Sequence, residues 1–269
     1  MLRNATTIGF NAVPDTVQSL VQASLESLNR IDRETLEVAA TIGQRFNVEH
    51  VRRLLETSDY DLSELVVRRL IQSEGVLYIF SHALVRDGVY ASILDSRKRD
   101  LHSRVASVLG ESDLSLRAQH LEQAQSHNAA LTYIEAAKAK ADEQDEDFAL
   151  ELCESGISLS NDYDVLLRLL LLKGEVLLNL GCTQDSMETF RRAEDLSITE
   201  SDSCRALIGL AEGLRIAIHT MMRSPNFIWP RAYPKHCPYS NAPVFFTFVE
   251  AFFLLKAILK AALPPTRSR

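Results

Sequence analysis

The chain has 269 residues, room for one large domain or for two or three of about 100–150 residues each. It is 46% apolar, 24% charged and 7% aromatic with a mean hydropathy of −0.05, and its ten Gly and eight Pro are too few for a β-sandwich, a collagenous chain or a mostly disordered one. The net charge of −7 divides unevenly: 0 over residues 1–30, −1 over 31–109, −12 over 110–217 and +6 over 218–269, which marks borders near 110 and 218.

In chain order, Pro14-Asp15-Thr16 precedes Val17, Leu20, Val21, Leu25 and Leu28, a helical stripe opened by a polar cap. Asp32 is expected to cap a second helix through Leu36, Val38, Ala39 and Ile42, closed by Gly43. Asn47 opens VEHVRRLLE, and Asp61 opens LSELVVRRLIQSEG, which stops at Gly75. The next segment, VLYIF (76–80), is β-branched and aromatic and suits a strand. Helices from Ser81 to about Leu94 and from Ser96 to Leu109 complete the block. Three helices followed by a short β-element is the order of a winged helix-turn-helix. That order invites DNA binding through Arg68 and Arg69 on the third helix, with Arg52 and Arg53 on the helix before it. The −1 balance argues against it, and pairing with Glu49, Glu56 and Glu64 would occupy these side chains.

The acidic segment repeats itself. Ala137 and Ala149 are matched 37 residues later by Gly174 and Ser186. Around the later copy, small residues at Gly174, Gly181, Ser186 and Ala193, with bulky Leu177 and Phe190, have the spacing of a tetratricopeptide helix pair. The small positions let two antiparallel helices approach, Leu177 and Phe190 fill the seam, and these six residues are the expected protein-interaction site of the repeat. A third unit begins at SDSCRALIGLAEGLRI (201–216) and then loses the pattern. The expected architecture is therefore mainly all-α: residues 1–30 a linker or helix, 31–110 winged-helix-like with a short β-element, and 111–217 tetratricopeptide-like hairpins.

From Val13 to Ile216 the sequence resembles one region of the STAND signalling ATPases, modules often fused to bacterial class III adenylate or guanylate cyclases or to LuxR-type activators. The most specific piece comprises Phe80, His82, Ala83, Leu84, Tyr90, Leu94, Ser96, Arg97, Arg99, Leu101 and His102. The resemblance implies a winged helix and repeats downstream of a nucleotide-binding module, in a truncated reading frame or a separately encoded piece. No G-K-[ST] loop is present, and the single Lys-Gly pair, Lys173-Gly174, lies in a repeat helix. The expectation is a non-catalytic, cytoplasmic signal-relay module that binds no cofactor itself, ATP or ADP belonging to the missing module. Its partner would be that module or another protein, a basic one by the charge of the repeats. The alternative is a DNA-binding regulator of the LuxR or winged-helix type.

Individual residues add little chemistry. In related proteins a Met-His-Asp motif reaches the phosphates of bound ADP, and His82 stands at the corresponding place with Ser81 and Ala83 as neighbours. It is either a nucleotide sensor or a helix-start histidine bonded locally or packed inside. His102 and Arg97-Lys98-Arg99 read as the solvated, charged first turn of a helix. The acidic cluster Asp142-Glu143, Asp145-Glu146-Asp147 reads as a solvated loop. The cysteines, Cys153, Cys182, Cys204 and Cys237, include no C-x-x-C pair, which excludes a zinc ribbon or a disulfide framework and fits a reducing compartment. After Ile216 come seven of the eight prolines and nine of the nineteen aromatics. The apolar stretch 244–263 is interrupted by Glu250, Lys256 and Lys260; a membrane span, a buried or interfacial helix, and a shifted reading frame all remain open.

Overall fold

A computed structural model describes residues 23–57 and 60–223, which are mainly helical with one small sheet. They fall into two compact units divided between Ala136 and Ala137. In the first, α1 (Arg30–Ile42) is capped by Asn29, whose side chain accepts from the Asp32 N–H at 2.9 Å and donates to the Asp32 carboxylate at 2.7 Å. The cap thus lies three residues before the expected one. Asp32 is instead the third helical residue, buried, and accepts the Tyr60 hydroxyl, so it reciprocates the cap instead of providing it. Gly43 closes the helix as expected, with its N–H on the Ala39 carbonyl.

A strand absent from the sequence reading follows, β1 (Arg45–Asn47), and Asn47 both ends it and caps α2 (Val48–Leu55). The third helix is much shorter than its pattern suggests. It runs only over α3 (Ser63–Val67), Arg69 adopts φ +57°, and Ile71–Glu74 becomes strand β2. β2 pairs antiparallel with β3 (Leu77–Phe80) across a turn in which Gly75 holds φ +69°, and the sheet order is β1-β3-β2. The register decides the matter: Ile71 lies opposite Phe80, and both are buried beside Phe46, Leu36 and Leu65. Ladder hydrogen bonds and burial outweigh the helical preference of RRLIQSE. Arg68 therefore lies beyond the helix end, paired with Glu64 at 2.6 Å, and Arg52 pairs with Glu49 at 2.8 Å. Helices α4 (Ala83–Ser92), α5 (Asp95–Leu109) and α6 (Leu114–Gln123) complete this unit up to the first part of α7 (Ala129–Asp142).

The second unit holds the end of α7, α8 (Glu146–Leu159), α9 (Tyr163–Asn179), α10 (Thr183–Asp195) and α11 (Glu200–Arg223). Its core joins Leu167, Leu170 and Leu171 of α9 to Met187, Phe190 and Ala193 of α10 and Ala206, Leu210 and Leu214 of α11. Cys153 is buried, and burial pushes its thiol up to about 12, which leaves it protonated and unreactive. No described helix is long and apolar enough to cross a membrane. The apolar stretch 244–263, Cys237 and most of the segment 218–269 lie outside the described residues.

His102 corrects the sequence reading. It is fully buried on α5 instead of solvated, its Nδ1 lies 2.8 Å from Nδ1 of His120 on α6, and the Tyr90 hydroxyl of α4 lies 2.8 Å from its Nε2. One proton shared between the two Nδ1 atoms satisfies the histidine contact while at least one ring is neutral; two protonated rings would oppose N–H to N–H. Arg86 and Lys98 face the same cluster and add positive charge. Burial, with help from those cations, lowers His102 to about 4, and burial with His102 beside it lowers His120 to about 3. Both lie below the ordinary 6.5, so the unfolded chain binds more protons between those limits. Stability is complete above about pH 6.5 and falls on acidification toward pH 4, by up to about 1.4 kcal/mol per pH unit per histidine. In urea titrations between pH 7 and pH 4.5, His120→Leu should show a shallower pH slope than the wild type, by up to about 1.4 kcal/mol per pH unit, the difference isolating His120 from the carboxylates. An unchanged slope would refute the assignment.

Candidate functional site

The repeat-seam residues divide into two groups. Gly174 lies on α9 facing α10, and a Cβ there would meet the Phe190 ring at 2.6 Å. Ser186, fully buried, donates from Oγ to the Gly174 carbonyl at 2.7 Å. Phe190 reaches past Gly174 to Gly209 of α11, where a Cβ would clash with the ring. Ala193 and Leu177 are also buried. Gly181 is different: it is exposed, with φ +79°, in the turn between α9 and α10. Its N–H reaches the Leu178 carbonyl and the next N–H, of Cys182, reaches Leu177, the hydrogen-bond pair that terminates a helix at a left-handed residue. The seam holds the hairpin together, so its side chains are not available to a partner.

His82 is exposed and extended (φ −142°, ψ 140°) at the cap position of α4, and its side chain makes no capping hydrogen bond. The interior-packed alternative therefore does not describe it. Both ring nitrogens are free to donate or accept toward something outside the described residues. Arg53 and Arg69 are likewise exposed.

Sequence reasoning missed a groove in the second unit. It is lined by Lys138 of α7, Arg168, Leu171, Leu172 and Glu175 of α9, and Arg205 and Ile208 of α11, with a volume of ≈ 470 Å³, a size ordinary for ligand sites. Leu171 and Leu172 are nearly buried in its floor, whereas Ile208 is 58% exposed. Burial raises the Glu175 carboxyl, and Lys138 and Arg205 pull it back down. The signal was present in the repeat: Arg205 and Ile208 follow Arg168 and Leu171 by 37 residues, and Glu175 follows Lys138 by the same interval. The charged positions carry the same period as the small ones, but only the small ones mark helix packing.

No family model matches the chain, and no curated protein matches its sequence. Among solved structures, a Signal Transduction ATPase with Numerous Domains (STAND) protein with a tetratricopeptide repeat sensor, from Pyrococcus horikoshii, matches at 12% identity with a TM-score of 0.39. The match covers 79% of this chain, which spans 41% of the length of that one. A score of that size does not establish a common fold.

The geometry around Phe190 makes a measurable claim about stability. Phe190→Ala should cost about 3–5 kcal/mol, because it empties a closed space. Gly209→Ala should cost about 1–3 kcal/mol by overpacking. Phe190→Ala combined with Gly209→Ala should cost less than the sum of the two, since removing the ring vacates the clash and the added methyl partly fills the space it leaves. Chemical denaturation of the four proteins checks this, and strict additivity would contradict the contact.

Proposed function

We propose that the chain is a non-catalytic regulatory and protein-interaction module of a STAND-type signalling ATPase, of the kind linked to adenylate or guanylate cyclases. The observation that carries the reading is the pairing of two features in one chain: a helical-repeat unit with an open groove, and a three-stranded unit that leaves His82 exposed at a helix start. The sequence resemblance over Val13–Ile216 supplies the family. Residues 31–110 act as the winged helix and 111–217 as the sensing repeats, in a cytoplasmic protein.

In this reading the winged helix packs on the ADP-bound nucleotide module, and His82 donates a ring N–H to a phosphate. Occupation of the repeats favours release. A ligand there shifts the equilibrium only by its differential affinity for the docked and released forms. The chain binds no nucleotide alone, and hydrolysis and cyclisation belong to other modules. DNA binding is the competing reading. It is weakened by the pairing of Arg52 and Arg68 with glutamates and by the five-residue length of α3, too short to span a major groove as a recognition helix does.

Titration calorimetry of the full chain against the nucleotide-binding module of a STAND ATPase, loaded with ADP or with ATP, tests the reading. Docking should be about tenfold tighter with ADP, within the usual range of coupling energies. His82→Ala should erase that preference without moving the melting midpoint. Equal affinity for both loaded forms, or strongly salt-dependent binding to duplex DNA in its place, would reverse the assignment.

A further inference from the structure

The groove in the second unit carries a charge opposite to its surroundings. Residues 110–217 bear nine basic and twenty-one acidic side chains, yet three of those nine cations, Lys138, Arg168 and Arg205, line one groove beside a single acid, Glu175. Neither Lys138 nor Arg205 forms an ion pair among the described residues, and Arg168 has only a loose contact with Asp164 at 3.7 Å. Beyond their attraction to Glu175, the three cations have no closely held acid in the groove.

Their placement follows from the repeat. Equivalent positions of α9 and α11 present Arg168 with Leu171 and Arg205 with Ile208, so each of two neighbouring helices offers one guanidinium and one aliphatic side chain to the same space. Helices in contact lie about 8–10 Å apart, and an extended chain covers that distance in about three residues at ~3.3 Å each. Two carboxylates two or three residues apart could thus meet one arginine each. A guanidinium fork matches a carboxylate in a way a point charge does not. Leu171 and Leu172, with the exposed Ile208, offer an apolar surface to the methylene stems of those acidic side chains.

We infer that this groove binds an extended acidic segment of a protein partner, in which two carboxylates two residues apart share one face of the segment. The overall acidity of the repeats favours a basic partner on their outer face; in the groove the sign is reversed. Arg168 and Arg205 hold the two carboxylates, Lys138 adds attraction, and Glu175 repels an anion and so limits affinity. The inference deepens the reading of the chain as an interaction module and rests on it.

The test is fluorescence anisotropy with the full chain and a labelled, end-blocked six-residue peptide of alternating glutamate and leucine. Binding should weaken steeply as salt is raised. It should fall at least about tenfold when the peptide's glutamates become glutamines, a step of about 1.4 kcal/mol. The double variant Arg168→Gln, Arg205→Gln should lose binding to a similar extent, and Glu175→Gln should strengthen it. All three side chains are exposed, so the fold should survive; the salt series and the glutamine peptide need no variant in any case. Equal binding of the glutamine peptide, no binding at all, insensitivity to the arginine substitutions, or displacement by free glutarate as effective as by unlabelled peptide would each overturn the inference. Such a failure, with ADP-dependent docking intact, removes the ligand class and leaves the module reading in place. Peptide binding without nucleotide-dependent docking does the reverse.

Discussion

The ring of Phe190 occupies space that two side chains would otherwise need. It lies against Gly174 of α9 and Gly209 of α11, too close to either for a Cβ to fit without movement. One aromatic side chain on α10 thereby fixes the approach of the helices on both sides of it. The Ser186 hydroxyl, bonded to the carbonyl of Gly174 in a buried setting, holds α9 and α10 together by a directional contact that dispersion alone lacks. The groove depends on this packing, because α9 and α11 supply six of its seven lining residues. Its depth and the separation of its two arginines are set behind it, by residues that never touch a ligand.

The first unit is held differently. Its sheet is small, and its strands are short enough that a single buried pair, Ile71 opposite Phe80, fixes the register; a slip of one residue would turn both side chains outward. Around it, polar groups are buried in linked sets: Asn29, Asp32 and Tyr60 at the start of α1, and Tyr90, His102 and His120 across α4, α5 and α6. The contacts within each set depend on its protonation state, and in the second set the buried Nε2 of His120 has no hydrogen-bond partner. Such networks make a packing arrangement specific, at the cost of tying it to conditions that keep that state.

Binding and folding roles separate cleanly in the repeats. Gly174, Ser186, Phe190 and Ala193 are what the tetratricopeptide-like pattern makes visible, and all are internal. Residues able to meet a partner are charged and sit one helix face away. His82 shows the same separation at smaller scale: Phe80 is anchored in the core while His82, two residues on, is exposed.

The helical class, the limits of α2, α4 and α5 to within about two residues, the β3 segment and the 37-residue repeat were all legible in the sequence, because periodicity and caps are local properties written along the chain. Three features were not. Ile71–Glu74 reads as helix until Phe80 is placed opposite it, since a strand's stability lies in its partner. His102 reads as a solvated charge beside Arg97, Lys98 and Arg99, since only the packing of α5 against α6 shows which side of the helix faces inward. The groove combines residues from three helices separated by up to 70 positions, from Lys138 to Ile208. The sequence determined which faces repeat; the tertiary structure decided which repeated faces meet, because burial and Coulomb interaction depend on distance through space and not along the chain.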